Sequence, residues 1–303
     1  MPTLTPEPKL PSLIKMILMG WSGTGKTSAY VPLAIPELVK GAPGHKLLIL
    51  DYDGKAEEVI RFNLAARLDS VKARRLKLTP ITREQHDAAL ANCEVEVLRE
   101  KTKITTNGVE IIGAPSSWQK TMRVLERKSK ELTSQHILIP DSLTYAAQIS
   151  ILAYTQALNG NAFGTKIGWH DYMEPQRLVK NFLTVLADMP CHVILCAHQE
   201  QQDIYQKTGE FKTKPDGSKE AIEEVVESVM VPTSIGSKGR ITIPAQFNHL
   251  LVTAKDSSDE RRIFTQPEDG VVTKTPFFAI ADKSYPLNDG LVKYWMLGGK
   301  PDV

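Results

Sequence analysis

The feature that most constrains this chain is the octapeptide GWSGTGKT at residues 20–27, which follows a short apolar run and precedes a segment with helical spacing. It fits the pattern G-x-x-x-x-G-K-[ST] at every position, in the strand-to-helix setting that the pattern requires. Its glycines let backbone N–H groups turn around a phosphate, its lysine neutralises phosphate oxygens, and its threonine hydroxyl suits Mg²⁺. The sequence therefore predicts a phosphate loop that binds ATP with Mg²⁺, and a fortuitous Gly-rich turn is the alternative. The expected nucleotide-binding residues are Gly20, Trp21, Ser22, Gly23, Thr24, Gly25, Lys26, Thr27 and Ser28.

Composition excludes several classes of protein. The 303 residues are 42% apolar and 24% charged, which is enough to bury a large core and rules out disordered and disulfide-stabilised miniproteins. The net charge of +2 means that any attraction to nucleic acid must come from local patches. Three cysteines without C-x-x-C spacing predict neither a disulfide framework nor a zinc site. No apolar stretch has the length of a membrane span, so we expect a soluble, cytoplasmic protein without a membrane partner.

Apolar runs alternate with segments of helical spacing along the first two thirds of the chain. Buried strands are predicted at residues 13–19, 46–50, 136–139 and 192–197. Shorter strands separated by turns are predicted at residues 240–243, 249–254, 262–265 and 277–280. This order predicts an α/β fold in which a mostly parallel, helix-flanked sheet carries added antiparallel strands at its C-terminal edge.

We expect a single domain over residues 13–303, preceded by a Pro-rich lead at residues 1–12. Residues 70–77 read as a basic, strand-like piece. Residues 79–114 are predicted to be an insertion, with helical spacing over 83–101 and a hairpin signal at Asn107-Gly108. Residues 202–231 have the composition of a mobile loop or an exposed hairpin.

Carboxylates follow two of the predicted strands. Asp141 ends the run HILIP and is expected to bind Mg²⁺ together with Thr27, with Ser142 beside it. Asp51 and Asp53 leave the strand of residues 46–50 and lie on one face if that strand continues. Asp53 is the expected catalytic residue that orients or deprotonates the attacking water, with Asp51 in support. The alternative is that both carboxylates are solvated turn residues.

Taken together, the segments resemble the RecA-like ATPase core, and most closely the compact ATP-binding proteins of bacteriophages that include single-strand annealing recombinases. The resemblance rests on GWSGTGKT (20–27), LLILDYD (47–53), HILIPDS (136–142), VILCAHQE (193–200) and IGSKGRITIP (235–244). It implies a RecA-like P-loop NTPase fold and an Mg²⁺-dependent ATPase that binds single-stranded DNA in recombination, repair or replication, by annealing or strand exchange. It also implies a ring or filament of identical subunits, in the host cytoplasm if a phage encodes the chain.

The resemblance further implies roles for individual residues. RecA-like enzymes usually place a glutamate where this chain has Asp53. The shorter side chain implies a differently held water, help from Glu57, or slow hydrolysis. His198 or Gln199 corresponds to a polar sensor of the γ-phosphate, and a capped strand end is the alternative.

Intersubunit and DNA contacts are implied in the same way. Lys238 and Arg240 resemble a pair that ring and filament members insert into a neighbour's nucleotide, with a solvated hairpin corner as the alternative. RecA-like recombinases hold single-stranded DNA with two loops that fall here on residues 159–172 and 202–231. Cations suit phosphates and aromatic rings stack on bases, but acidic residues offset part of the second loop's charge, so solvated surface loops are the alternative. The expected contacts are Lys166, Trp169, Tyr172, Tyr205, Lys207, Lys212 and Lys214. The expected partners are single-stranded DNA, further copies of the chain and a single-strand binding protein.

Two other functions fit the same motifs. The first is a monomeric P-loop phosphotransferase in which residues 79–114 form a lid over a small acceptor. That segment contains only Arg83 and Arg99 as arginines, which is fewer than such a lid would be expected to use. The second is a nucleotide-switched assembly protein with weak hydrolysis, which the aspartate at position 53 favours.

Overall fold

The computed structural model describes residues 13–106, 108–164, 168–213, 219–235, 243–266, 273–276 and 281–297. Its strands are β1 (Lys15–Gly20), β2 (Lys46–Asp51), β3 (Cys93–Val97), β4 (Thr102–Thr105), β5 (Gly108–Ile111), β6 (His136–Asp141), β7 (His192–Thr213), β8 (Lys219–Pro232), β9 (His249–Lys255), β10 (Arg261–Phe264) and β11 (Ser284–Pro286). Its helices are α1 (Lys26–Tyr30), α2 (Ala56–Leu68), α3 (Ser70–Arg75), α4 (Arg83–Ala91), α5 (Ser117–Lys128), α6 (Leu143–Tyr145), α7 (Leu152–Leu158), α8 (Met173–Asp188) and α9 (Leu287–Trp295). A π-helical stretch, Ala146–Ile151, joins α6 to α7, and 3₁₀ turns occupy Val31–Ala34, Trp169–Tyr172 and Ile243–Gln246.

Among the described residues, the main sheet has the strand order β11-β10-β9-β1-β7-β6-β2-β3, and β8 pairs with β7 off this path. The pairings from β9 across to β3 are parallel, whereas β10 and β11 add antiparallel strands beside β9. The fold prediction is therefore confirmed. Because β1, β2 and β6 are parallel and end at the same edge, the loops that follow them are brought together there, where β7 continues into its pairing with β8.

Both faces of the sheet are covered, which explains why its strands read as nearly unbroken apolar runs. On β1, Met16 and Leu18 join a core on the side of α1, α2 and α9. Ile17 and Met19 join a second core on the side of α5 and α8. The one charge in this strand, Lys15, is buried, and its Nζ donates hydrogen bonds to the carbonyl oxygens of residues 186, 189 and 191 over 2.6–3.3 Å.

Two local predictions were wrong. Residues 70–77 contain helix α3 and not a strand, because the Asp69 carboxylate caps that helix by accepting hydrogen bonds from the backbone N–H groups of Val71 and Lys72, each at 3.0 Å. The helical spacing over residues 83–101 covers α4 only, and β3 follows. Since β3 pairs with β2, this part of residues 79–114 lies in the main sheet, while β4 and β5 form a separate hairpin. Of the predicted C-terminal strands, 240–243 has only residue 243 described, in a 3₁₀ turn, and 277–280 lies outside the described residues.

The β7–β8 hairpin extends from the central sheet and contains the longest strand among the described residues. The first residues of β7 pair with β1 and β6, and from Gln199 onward the same strand pairs with β8 in antiparallel register, as far as Thr213 opposite Lys219. Much of segment 202–231 is therefore β-structure that continues directly from the strand beside the phosphate loop.

Within the described parts of the chain, every helix falls short of the length and apolar content that a membrane span needs.

Candidate functional site

The phosphate loop runs from the last residue of β1, Gly20, to the first residue of α1, Lys26. Gly25 has φ of 97°, a left-handed conformation that favours glycine, and a Cβ there would overlap Cδ2 of Leu287. A Cβ on Gly20 would clash with the side chains of Thr24 and Thr253, whose hydroxyl oxygens lie 2.8 Å apart. Glycine is thus required at both ends of the loop. At Gly20 and Gly25 there is no space for a Cβ, and at Gly25 the backbone conformation also favours glycine.

The Lys26 side chain is folded back into its own loop. Its Nζ donates hydrogen bonds to the carbonyl oxygens of Gly20 at 2.9 Å and Trp21 at 3.0 Å, and the residue is buried. Burial lowers the pKa of Lys26, and the nearby Asp141 and Asp53 carboxylates oppose that shift. The ammonium group is therefore held beside the loop carbonyls with two acceptors that phosphate oxygens could replace.

Asp141, at the end of β6, lies directly against α1. Its Oδ2 accepts hydrogen bonds from the Thr27 hydroxyl at 2.8 Å and from the Tyr30 hydroxyl at 3.0 Å. Burial raises the pKa of Asp141, and the two donated hydrogen bonds lower it. The structure thus brings together the two predicted metal ligands. It also adds Tyr30, which the sequence did not indicate because a tyrosine one turn after the loop also reads as a core residue.

The donors at this point suit Mg²⁺. A hydroxyl and a carboxylate oxygen are hard ligands, and Mg²⁺ commonly takes one or two carboxylates and completes its shell with water and substrate phosphates. In the described part of the chain, no group of three or more His, Cys, Asp or Glu side chains could hold a metal ion without such help. Thr27 and Asp141 therefore fit a magnesium ion that arrives with a nucleotide.

The two aspartates after β2 have different surroundings. Asp51 is buried, and its carboxylate accepts hydrogen bonds from the backbone N–H groups of Gly54 at 2.8 Å and Ala56 at 2.9 Å, so it caps the turn into α2. Asp53 is partly exposed. Burial, followed by the charges of Asp141 and Asp51, raises the pKa of Asp53 to about 6. Asp53 therefore has the character of a proton acceptor near neutral pH, whereas the carboxylate of Asp51 is occupied by backbone amides.

The alternative base, Glu57, is held at the surface of α2. Its Oε1 accepts hydrogen bonds from Nε and Nη2 of Arg61 at 3.1 and 2.8 Å, and both side chains are mostly exposed. Glu57 is thus directed toward Arg61 in this structure.

The part of β7 around His198 lies between the phosphate loop and Asp141, because β7 separates β1 from β6. His198 is opposite Gly20, and its backbone N–H donates to the Thr144 hydroxyl at 3.0 Å. Burial and the charge of Lys26 lower the pKa of His198, which favours its neutral ring. Among the described residues, the buried Gln199 Oε1 and Ser142 Oγ have no hydrogen-bond partner. Buried polar atoms of this kind, at this edge of the sheet, are suited to a polar ligand.

The remaining candidates are only partly described. Trp169 and Tyr172 lie in the 3₁₀ turn before α8, and Tyr172 is exposed. Tyr205 is exposed on β7. The β7–β8 register places Lys207 opposite Glu223 and Lys212 opposite Glu220. Four predicted residues lie outside the described residues: Lys166, Lys214, Lys238 and Arg240.

Comparison with known proteins agrees with this geometry. A family model described as an AAA domain matches residues 12–277, a span that contains the phosphate loop, Asp53, Asp141 and the β7–β8 hairpin. A search among curated proteins finds no match to the chain. Since the family model covers most of the chain, the protein belongs to the AAA domain family and is a P-loop ATPase of the AAA type.

Proposed function

We propose that the protein is an Mg²⁺-dependent ATPase that couples hydrolysis to the binding of single-stranded DNA, as an oligomer, in recombination, repair or replication. The observation that supports hydrolysis best is the contact of 2.8 Å between the Thr27 hydroxyl and the Asp141 carboxylate, next to a loop that holds Lys26. Mg²⁺ bound by these two residues would offset negative charge on the β- and γ-phosphates.

The loop residues bind and orient the triphosphate. The Lys26 ammonium exchanges the carbonyl oxygens of Gly20 and Trp21 for phosphate oxygens, which are stronger acceptors because they are charged. The backbone N–H groups before α1 supply further donors to the same phosphates. This arrangement fixes the γ-phosphorus in a position that a water molecule can attack.

Asp53 takes the proton from that water. The water oxygen forms a bond to the γ-phosphorus, the bond to the β,γ-bridging oxygen breaks, and ADP leaves with the electron pair. With a pKa of about 6, Asp53 is mostly ionised at pH 7 and is a better proton acceptor than an ordinary aspartate. The raised pKa therefore compensates in part for a side chain one methylene shorter than glutamate. Hydrolysis should fall as the pH drops through 6.

Strand β7 offers a route from the nucleotide to the hairpin. His198 and Gln199 lie where β7 passes the phosphate loop, and the pairing with β8 begins at Gln199. A γ-phosphate that hydrogen-bonds to the unpartnered Gln199 Oε1, through a water or a protonated oxygen, would act on the base of the hairpin. We propose that the hairpin and the turn before α8 contact single-stranded DNA, and that Lys238 and Arg240 complete the site of a neighbouring subunit.

Charge on the hairpin indicates how it would bind DNA. Residues 202–231 contain seven acidic residues and four lysines, and two of those lysines lie opposite glutamates in the register. Stacking of bases on Tyr205 and Tyr172 therefore contributes more to the proposed contact than attraction to phosphates does. Such binding depends less on salt than binding by a basic groove.

The test is ATP hydrolysis with and without single-stranded DNA. We expect stimulation by DNA in the natural protein and loss of hydrolysis in Lys26→Ala. An Arg240→Ala subunit should regain activity when mixed with Lys26→Ala subunits that carry an intact Arg240. Phosphate transfer to a small acceptor would support the phosphotransferase instead, and tight ATP binding without turnover would support the assembly switch. Full ATPase activity in Lys26→Ala would refute the site.

A further inference from the structure

A cavity adjoins the phosphate loop on the side away from Asp141. Its volume is about 490 Å³, within the range of small-molecule sites. Ser28, the residue after Thr27, forms part of its wall. Leu287 forms another part, and its Cδ2 occupies the space where Gly25 would carry a Cβ. The cavity therefore adjoins the phosphate loop through Ser28 and Leu287.

The orientation of a bound triphosphate follows from the strand order. Asp141 at the end of β6 and Gln199 in β7, next to the partner of Gly20, lie on one side of β1 and mark the γ-phosphate end. The nucleoside at the other end must leave the loop on the opposite side of β1. The cavity lies there, with Arg261 and Pro286 contributed by β10 and β11.

The lining suits a base and a sugar. Phe62 of α2 has 59% of its surface exposed, which is unusual for a phenylalanine, and its ring forms one wall. The Lys72 ammonium lies 4.7 Å from the centre of the same ring. Leu78 and Leu287 add apolar surface, while Arg261 adds a charged group. An aromatic ring with a few polar groups at the margin is the kind of lining that binds a planar heterocycle.

The wall of the cavity is held by a buried network. Arg67 is fully buried, with its guanidinium 2.9 Å from the Asp289 carboxylate and 2.9 Å from the Asn288 carbonyl oxygen. The Asn288 amide in turn donates to the carbonyl oxygens of Leu76 and Lys77 at 3.1 and 2.8 Å. These bonds join α2, the segment after α3 and the start of α9. The cavity is thus preformed, which reduces the ordering that a ligand must impose.

A larger cavity, of about 790 Å³, lies along α8 and is lined by Met173, Val179 and Ile235 among others. It is on the other face of the sheet, and neither Ser28 nor Leu287, the two residues that adjoin the phosphate loop, lines it. A nucleotide held by Lys26 and Thr27 therefore has its nucleoside nearer the smaller cavity.

We propose that the cavity between Ser28, Phe62 and Leu287 binds the nucleoside of the triphosphate, with the Phe62 ring stacked on the base. This inference rests on the proposed nucleotide site. It adds the prediction that affinity for ATP comes in part from residues outside the phosphate loop, and that a triphosphate without a nucleoside lacks this part.

The test is calorimetric titration of the full chain with Mg·ATP and, separately, with Mg·tripolyphosphate. The natural protein should bind ATP more tightly. Phe62→Ala should weaken ATP binding about tenfold, as expected for the loss of one base–ring stack, and leave tripolyphosphate affinity unchanged. Phe62→Tyr keeps the ring and should bind ATP like the natural protein. Val71→Ala, which alters an exposed apolar residue that does not line the cavity, is the matched control.

The outcomes separate this inference from the one on which it rests. If ATP affinity is the same in Phe62→Ala as in the natural protein, or if the natural protein binds ATP and tripolyphosphate equally well, the cavity is not the nucleoside site. If the natural protein binds neither ligand, the nucleotide site itself is refuted. Because Phe62 is exposed, Phe62→Ala should keep the natural circular dichroism spectrum and unfolding midpoint. If it does not, Phe62→Leu repeats the test without the ring.

Discussion

Replacing Asp53 by asparagine should stabilise the nucleotide-free protein while abolishing hydrolysis. The Asp53 carboxylate is partly buried next to Asp141 and Asp51, and this environment raises its pKa from 3.8 to about 6. At pH 7 the folded protein must keep that carboxylate ionised, whereas asparagine fills nearly the same space without charge. The same change removes the proposed proton acceptor. Stability and activity should therefore move in opposite directions.

The size of the effect follows from the pKa difference. A rise from 3.8 to about 6 corresponds to at most about 3 kcal/mol, at about 1.4 kcal/mol per pH unit. Because Asp53 is in part exposed to water, solvent screening reduces this to about 1–2 kcal/mol. For a chain of this size, we expect a rise in melting temperature of about 2–3 °C.

The direction of the Asp53 pKa shift determines the pH range in which Asp53→Asn stabilises the protein. A carboxyl group whose pKa is higher in the folded state than in the unfolded state favours folding when protonated. This contribution is full below about pH 3.8 and is lost as the pH rises through 6. The advantage of Asp53→Asn over the natural protein should be small near pH 4 and should reach its full size above pH 7.

Thermal unfolding of nucleotide-free protein at several pH values between 4 and 8 measures this difference. Glu57→Gln is the matched control, since Glu57 is an exposed acid of the same segment, paired with Arg61. It should be no more stable than the natural protein and should keep its hydrolytic activity. The reasoning is refuted if Asp53→Asn is not stabilised at pH 7, or if its advantage is as large at pH 4.

Three further substitutions test separate contacts. Thr27→Val removes one hydrogen bond to the buried Asp141 carboxylate and one metal ligand, so it should destabilise the protein by about 1.5–3 kcal/mol and abolish the effect of Mg²⁺ on ATP binding. Urea unfolding and calorimetry measure the two effects, and Thr27→Ser should restore both. Gly25→Ala should weaken ATP binding at least tenfold, an order-of-magnitude expectation because its Cβ would overlap Leu287 and its φ is 97°; natural affinity in this variant would contradict the loop geometry. Arg67→Met should destabilise the protein by about 3–5 kcal/mol in urea unfolding, since the Asp289 carboxylate loses its cationic partner. A loss below 1 kcal/mol, the size expected for a surface ion pair, would show that the pair is not buried in solution.

Much of the site could be predicted because its residues follow strands. A strand that ends in a Gly-rich loop, and another that ends in Asp141, must meet at one edge of a parallel sheet, so the approach of Thr27 to Asp141 needs only the sequence and the fold class. Strand β10 of the antiparallel edge was likewise indicated by the predicted strand at residues 262–265, whereas β11 was not predicted.

Other features depend on contacts that sequence patterns do not contain. Helix α3 depends on the Asp69 side chain, which overrides the strand-like composition after it. Strand β3 is an edge strand with exposed and half-buried residues, so it lacks the apolar run of a buried strand. For this reason its residues were included in the helical spacing predicted over residues 83–101. Arg67 and Asp289 lie 222 residues apart, and an arginine on a helix usually reads as a surface residue. The separate roles of Asp51 and Asp53 depend on which of the two accepts backbone hydrogen bonds.

The position of Lys26 has a consequence for how the loop would bind a phosphate. Its ammonium group donates hydrogen bonds to the two carbonyl oxygens at the start of the loop, and these bonds stabilise the turn from within. A phosphate would therefore bind to a preformed loop and would only have to displace the two carbonyl oxygens from the Lys26 ammonium group. Phosphate binding would then replace the hydrogen-bond acceptors of the Lys26 Nζ, carbonyl oxygens giving way to phosphate oxygens, without a change in the fold of the loop.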